Sequence, residues 1–309
     1  MDLGIVIVTC NSEAEIGPCL EAALATGAEV IVVDNASADG TLAQIRRRGA
    51  PLIANPGNRG FAAAVNQGIR AIGADFILLL NPDAVLQTGL EALRAACEPP
   101  EVGAVGGKLV DSGNSPQAGF TVRNLPTPLT LAFEVLLINR LWPGNPVNWH
   151  YRCQGFNYDK PAEVEQPAGA FLMFRREVWE QVGGLDEEFY PIWFEDVDFC
   201  KRLRDDGYHV YYEPRAIATH LGGHSIRKIL LEKRELYWYG SLLKYGSKHF
   251  NRGPARLLCL AVIVGSLLRM PMGILLQRSF QPVAVYARVM RLAGRCLLFG
   301  PGKVGSPSF

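Results

Sequence analysis

The 309-residue chain predicts an α/β protein, a doubly wound and mostly parallel sheet followed by a C-terminal helical extension that associates with membranes. Two patterns predict the sheet and a third the extension. Short aliphatic and β-branched runs alternate with helical stretches from the first residues onward. Four of the strand-like runs stop abruptly at polar side chains: 30–33 at Asp34, 76–80 at Asn81-Pro82-Asp83, 192–194 at Glu195-Asp196, and 216–219 at His220. In open α/β sheets ligands sit outside the carboxyl ends of strands, so side chains at successive strand ends converge on one crevice. Beyond residue 250 the chain becomes apolar and basic, without a single acid.

Taken in order, residues 3–8 read as a buried strand, and the loop at Asn11-Ser12 leads into a helix over 13–25. Strand 29–33 ends in the turn 34–40, where Ser37 to Gly40 holds an N-cap candidate for a helix over 40–48. Strand 51–54, helix 60–72 and strand 75–80 continue the alternation that defines parallel sheets. After Pro82 the pattern loosens to a helix near 88–97 and a strand near 102–110. The Pro- and Gly-punctuated stretch 111–166 is long for an unstructured connection and reads as an insertion or hairpin over the site, with a flexible loop on the side of a second substrate. Order returns with strand 170–174, helix 176–182 and the turn Gly183-Gly184. A further helix begins at Glu195; Val197, Cys200 and Leu203 share its face, basic residues gather toward its end and Gly207 closes it. Strand 210–212 and a helical stretch over 228–249 follow. The expected division is a body over 1–225 and an extension over 226–309.

A composition of 49% hydrophobic and 20% charged residues, with mean hydropathy +0.09, is that of a packed protein and excludes a disordered chain. The net charge of +1 conceals a segregation: residues 251–309 carry eight basic side chains and no acid, which leaves −7 on the first 250. A basic, apolar tail suits an anionic surface, and its long aliphatic runs favour lipid over nucleic acid. The run 257–268 holds only Ser266 among apolar and Gly residues; it is too short to span a bilayer, and its continuation to Leu276 meets Arg269 and Pro271. An in-plane or re-entrant helix is therefore expected, the competing reading being a helical pair packed on protein or against a second copy in a homo-oligomer. Seven cysteines without CxxC or zinc-ligand spacing read as reduced core thiols. Asp2 is followed at once by a strand, in place of the basic start and apolar core of a secretory signal. These features predict a cytoplasmic protein, peripheral on the inner face of the cell membrane.

Each strand end carries two readings. Asn81-Pro82-Asp83 puts one carboxylate at a strand tip, where Mg2+ or Mn2+ needs few protein oxygens if a nucleotide diphosphate supplies others; it is also a common conformational turn. Glu195, Asp196 and Asp198 occupy a helix's first turn, which the macrodipole favours without any duty, yet three acids beside Trp193 and Phe194 suit a base that must take a hydroxyl proton. His220, with His224 close behind, is an imidazole for a metal or a departing phosphate, or an ordinary loop histidine. Asp34-Asn35 suits a base or ribose, or an Asx-turn. The sequence 55–60, with Arg59 and Gly60 at a helix start, suits a diphosphate, or is a Gly-rich turn with a solvated Arg.

Together the motifs resemble family 2 glycosyltransferases of the GT-A fold, most of all the bacterial rhamnosyltransferases. The resemblance rests on Ile5-Val6-Ile7-Val8-Thr9-Cys10-Asn11, Val32-Val33-Asp34-Asn35-Ala36-Ser37, Asn58-Arg59-Gly60-Phe61-Ala62 with Asn66, Leu80-Asn81-Pro82-Asp83, and Phe194-Glu195-Asp196-Val197-Asp198, in the family's order over about 3–224. It implies that Thr9, Asn11 and Asp34 contact base and ribose, and that Asn58, Gly60 and Asn66 line the nucleotide pocket. Asp83 stands in the place of the metal-binding acid, Asp196 in that of the catalytic base with Glu195 its neighbour, and His220 completes the metal or diphosphate site. Asn81 replaces the first acid of the family's Asp-x-Asp, which leaves a single acid for the metal.

The function so implied is inverting transfer of a sugar, L-rhamnose from dTDP-rhamnose, to a hydroxyl of a lipid-linked saccharide in cell-wall or surface polysaccharide synthesis. A UDP-sugar donor stays open. A sugar-nucleotide nucleotidyltransferase would need a Gly-rich, basic phosphate loop after the first strand, which Thr9 to Ile16 does not supply. A non-catalytic sugar-nucleotide-binding scaffold would have no use for Asp83, Asp196 and His220 together.

Overall fold

The computed structural model describes residues 2–222 and 230–300, and the chain divides into two compact units. The first takes in Met1–Leu125, Arg152–Pro191 and Glu195–Lys228; the second takes in Pro126–Tyr151, Ile192–Phe194 and Ile229–Phe309. The expected boundary at 225/226 and His224 lie outside the described residues.

The first unit is built on strands β1 (Leu3–Thr9), β2 (Glu29–Asn35), β3 (Leu52–Asn55), β4 (Phe76–Leu80), β5 (Ala84–Thr88), β6 (Val102–Val110), β7 (Val122–Arg123), β8 (Ala162–Glu163), β9 (Gln166–Pro167), β10 (Phe171–Arg175) and β11 (His209–His220). Its main sheet runs β3-β2-β1-β4-β10-β6-β11-β5, with β8 beside β11, while β7 and β9 form a separate antiparallel pair. The pairs β1/β2, β1/β4, β2/β3 and β6/β11 are parallel; β10, β5 and β8 run against their neighbours. Helices α1 (Ile16–Ala25), α2 (Thr41–Arg47), α3 (Phe61–Ala71), α4 (Leu90–Cys97), α8 (Arg176–Gln181) and α9 (Glu195–Asp205) cover it.

The strands are apolar on both faces because both are covered. Along β4, Leu78 and Leu80 enter one core with Cys19, Leu20 and Ile45, whereas Ile77 and Leu79 enter the other with Val65, Ile69 and Phe199. Residues two apart share a face, so this alternation is the signature of a doubly wound sheet. All seven cysteines are free and five are buried; burial pushes the Cys97 thiol up to about 12, so it stays protonated and inert.

The stretch 111–166 is not the flexible loop expected from its Pro and Gly content. It contains β7 and β8, and in the second unit α5 (Pro128–Val135), α6 (Ile138–Leu141) and α7 (Pro146–Tyr151). Thr127 caps α5 by accepting from the Thr130 N–H at 3.2 Å, with Pro128 at the first helical position. Likewise the separate strand runs 210–212 and 216–219 are one strand, β11, whose register shifts between Glu213 and Ile217. Strand β5, which the sequence pattern does not reveal, pairs with its far end.

The second unit also contains α10 (Leu231–His249), α11 (Arg252–Gln277) and α12 (Gln281–Phe299). Helix α11 is unbroken over 26 residues, about 39 Å at 1.5 Å per residue. The interruption expected at Arg269 does not occur, because that guanidinium is satisfied by carbonyls: Glu134 O at 3.1 Å, Gly265 O at 3.2 Å, and Val135 O. Gly265 is required there, since an added Cβ would sit 2.0 Å from the Val135 carbonyl oxygen. By length and composition α11 is long and apolar enough to cross a membrane, one continuous helix where the sequence reads a twelve-residue apolar run and a separate one beyond Pro271.

Candidate active site

At the carboxyl end of β1 and β2, Thr9 stands opposite Asp34 and donates its hydroxyl to Asp34 Oδ1 at 2.8 Å. The Asp34 carboxylate also accepts from the Ser37 N–H at 2.9 Å and from the Ser37 hydroxyl. Asn11 joins them through its N–H to Ser37 Oγ and its Oδ1 to the Ala38 N–H, both at 2.8 Å. The Asx-turn holds Asp34, almost fully buried, at the strand tip.

Asn35 ties this tip to the next loop. Its amide donates to Gly60 O at 3.0 Å and accepts from Asn55 at 3.1 Å and from the Arg59 N–H at 3.4 Å. Asn58 Oδ1 accepts from the Gly60 N–H at 2.8 Å, and both Asn58 and Arg59 are exposed. Gly60 has φ of +87°, and a Cβ there would lie 2.9 Å from the Tyr190 ring, so the entrance to α3 demands glycine. Asn66 is placed elsewhere. Buried in α3, it donates to Leu185 O at 2.8 Å and Glu187 Oε1 at 3.0 Å, and it accepts from Trp179 Nε1 at 3.1 Å and the Leu185 N–H at 3.0 Å. Its amide is used within the protein to hold the 184–187 turn.

Asp83 and His220 meet at the ends of β4 and β11. His220 pairs in register with Ala84, the Leu221 N–H donates to Asp83 O at 3.1 Å, and His220 Nε2 lies 3.4 Å from Asp83 Oδ1. Both side chains are buried. On its other side the imidazole has Nδ1 2.9 Å from Gln117 Oε1, and Phe120 stacks on the ring with centroids 5.1 Å apart and planes 10° from parallel. Gln117 Nε2 donates to the His220 carbonyl at 2.6 Å.

Asp196 reaches the same sheet end through β10. Asn81 N–H donates to Ala170 O at 3.0 Å, and the neighbouring Gly169 N–H donates to Asp196 Oδ2, also at 3.0 Å. Gln166 Nε2 reaches the same oxygen at 3.3 Å, and the Val197 N–H holds Oδ1 at 2.8 Å. A Cβ on Gly169 would lie 2.8 Å from the Asp196 Cβ, so this approach also needs glycine. Glu195 is buried at the start of α9, while Asp198 is paired with Arg202 at 2.7 Å. Arg202 also donates to Val182 O at 2.5 Å and Gly184 O at 2.7 Å, which makes Asp198 structural. Trp193 and Phe194, just before the acids, both have left-handed backbones, with φ of 81° and 70°.

The carboxyl ends of β2, β1 and β4 and the end of β11 thus carry Asp34, Thr9, Asp83 and His220 at one end of the sheet, and the backbone before β10 ties Asp196, from the first turn of α9, to the same end. Gln117, Gln166 and Gly169 are additions that the sequence pattern does not single out. Of these only Gly169, directly before a buried strand, carries a sequence signal, that of close backbone approach.

This is the frame of a GT-A nucleotide-sugar enzyme, and the chain belongs to glycosyl transferase family 2, which residues 4–183 match. Residues 150–222 also match the family described as the N-terminal domain of galactosyltransferase. The chain is 31% identical over 247 residues, 72% of its length and 77% of the relative, to N-acetylglucosaminyl-diphospho-decaprenol L-rhamnosyltransferase of Mycobacterium tuberculosis. It is 26% identical to the low-salt glycan biosynthesis hexosyltransferase Agl10 of Haloferax volcanii, over 68% of this chain and 64% of that one. Its fold is shared with the mannosyltransferase PcManGT of Pyrobaculum calidifontis, solved with GDP-Man and Mn2+, at a TM-score of 0.53 and 16% identity over 96% of this chain and 87% of that chain.

Proposed function

We propose that this glycosyltransferase moves L-rhamnose from dTDP-rhamnose, with inversion, to a hydroxyl of a lipid-linked N-acetylglucosaminyl diphosphate in cell-wall or surface polysaccharide synthesis. The observation that carries the reading is the gathering of Asp83, His220 and Asp196 around the β4–β10 junction, in a chain that is similar over most of its length to a rhamnosyltransferase.

Thr9, Asn11 and Asp34 hold base and ribose at the β1–β2 tips, and Asn58, Arg59 and the Gly60 backbone line the approach to the diphosphate. Asn66 contributes by fixing the 184–187 turn. Asp83 and His220 fit a divalent cation: one carboxylate and one imidazole, 3.4 Å apart, present two donors on backbone locked between two strands. Among the described residues no group of three or more such ligands occurs, and Asp83 and His220 would hold the ion together with oxygens of the bound donor. When bound, Mg2+ or Mn2+ neutralises the charge that develops on the leaving diphosphate.

Asp196 takes the proton of the acceptor hydroxyl as its oxygen forms a bond to the anomeric carbon and the bond from that carbon to the diphosphate breaks. Three N–H groups orient the carboxylate, and both of its oxygens are held. Glu195 flanks it from the preceding helical position.

The second unit supplies contact with a cytoplasmic membrane face. All exposed large hydrophobic side chains among the described residues, except Leu221, belong to it. On α11, Leu257, Leu260, Val264, Leu267, Leu268 and Leu275 recur at helical spacing on the outward face. On the adjoining α12, Arg288, Arg291 and Arg295 are exposed at the same spacing. An apolar stripe beside a basic one suits an anionic bilayer.

Transfer to a polyprenyl-diphospho-N-acetylglucosamine acceptor, with dTDP-rhamnose and UDP-sugars supplied separately, tests the reading. Rhamnose incorporation is the expected result. Transfer from a UDP-sugar alone would overturn the donor, and release of pyrophosphate from a nucleoside triphosphate would overturn the reaction class.

A further inference from the structure

The contacts of Gln117 determine which nitrogen of His220 carries a proton. The amide's Nε2 donates to the His220 carbonyl at 2.6 Å, so its Oε1 is the end that faces the ring, 2.9 Å from Nδ1. An amide oxygen only accepts, and Nδ1 must therefore carry hydrogen. In the neutral ring the lone pair then belongs to Nε2, 3.4 Å from Asp83 Oδ1. Two buried acceptors that face each other repel unless a proton or a metal ion lies between them, and a ring protonated only at Nδ1 leaves that place to the metal. Phe120, stacked on the ring, holds its plane, and the Arg123 guanidinium lies over that phenyl group at 5.5 Å.

We propose that Gln117 is a positioning residue that holds His220 in its Nδ1–H tautomer, so that Nε2 and Asp83 form a preset two-donor seat for the divalent cation bound to the donor's diphosphate. The inference rests on the metal reading of Asp83 and His220. Hydrogen-bond partners behind metal-ligating histidines act in this way, and their loss costs about 10–100-fold in metal affinity. Gln117 stands 103 residues from His220, in the segment between β6 and β7.

Two measurements on the full chain in detergent test this. In the metal-free protein, 15N spectra of labelled histidine report the tautomer directly, and with five histidines in the chain the His220 signals are assigned by difference against His220→Ala. The native chain is expected to show protonated Nδ1 and bare Nε2, and Gln117→Leu to lose that preference. Mn2+ titration in the presence of dTDP is expected to show affinity weakened about 10–100-fold in Gln117→Leu and largely kept in Gln117→Glu, which retains an acceptor toward Nδ1. A native ring protonated at Nε2, or a Gln117→Leu protein with native tautomer or native Mn2+ affinity, overturns the proposal. A native chain that binds no Mn2+ with dTDP, while the tautomer is as expected, overturns the metal reading beneath it. If Gln117→Leu does not fold, the native tautomer and the Mn2+ affinity of Gln117→Glu decide between the same two outcomes.

Discussion

At the scale of single residues, Asn66 differs from Thr9 and Asp34 in place: its partners are Trp179, Leu185 and Glu187, not groups at the strand tips. Asn66 belongs to the framework, because its amide makes four hydrogen bonds within the protein. Asn66→Ala leaves the Trp179 and Leu185 N–H groups unpaired in a buried place and is expected to lower stability by about 2–4 kcal/mol. Denaturant unfolding checks the loss, and donor affinity of the folded protein is expected to stay within threefold of the native value, about 0.7 kcal/mol. A large loss of nucleotide affinity without loss of stability would return Asn66 to the pocket. Asp34, Asp83, Asp196 and His220 are legible in the sequence, since each stands where an apolar run stops, while Thr9 is marked only by the family resemblance. Gln117 and Gln166 are not, because each acts on a group that is distant in the chain and adjacent only after folding.

At the scale of elements, the backbone at the β10 start links the tip of β4 to the Asp196 carboxylate. Its Ala170 carbonyl receives the Asn81 N–H, and its Gly169 N–H supports Asp196. Gly169→Val is expected to push Asp196 off its backbone donor, which lowers turnover by tenfold or more while the affinity for dTDP stays near native. Steady-state rates beside equilibrium nucleotide binding check this; equal losses in both would mean that β10 itself had been displaced. The alternating β and α segments of the first ninety residues are readable because both faces of a parallel sheet are covered and the runs are correspondingly apolar. The stretch 111–166 hides its structure because its helices are only four to eight residues long, too short for a 3.6-residue period to stand out. The Thr127-Pro128 cap is its one local signal. Helix α11 looks interrupted at Arg269 in the sequence because the carbonyls that satisfy the guanidinium come from α5, more than a hundred residues earlier.

At the scale of the whole molecule, charge is segregated: an acidic body precedes a basic extension whose outward faces are apolar on α11 and cationic on α12. The intact chain is expected to float with vesicles that contain anionic lipid. Arg288→Glu, Arg291→Glu and Arg295→Glu in one protein are expected to weaken that binding by tenfold or more, at about 1 kcal/mol for each charge near the surface. Equal flotation on neutral vesicles would assign the contact to the apolar stripe alone. Residues from four strand ends and a helix start make up the proposed glycosyl-transfer site, with Asp196 as its base. The most direct test compares Asp196→Asn with the native chain for transfer rate and for dTDP-rhamnose affinity. The rate is expected to fall by about 10²–10⁴-fold while donor affinity is unchanged; a variant that transfers rhamnose at the native rate rules Asp196 out as the base.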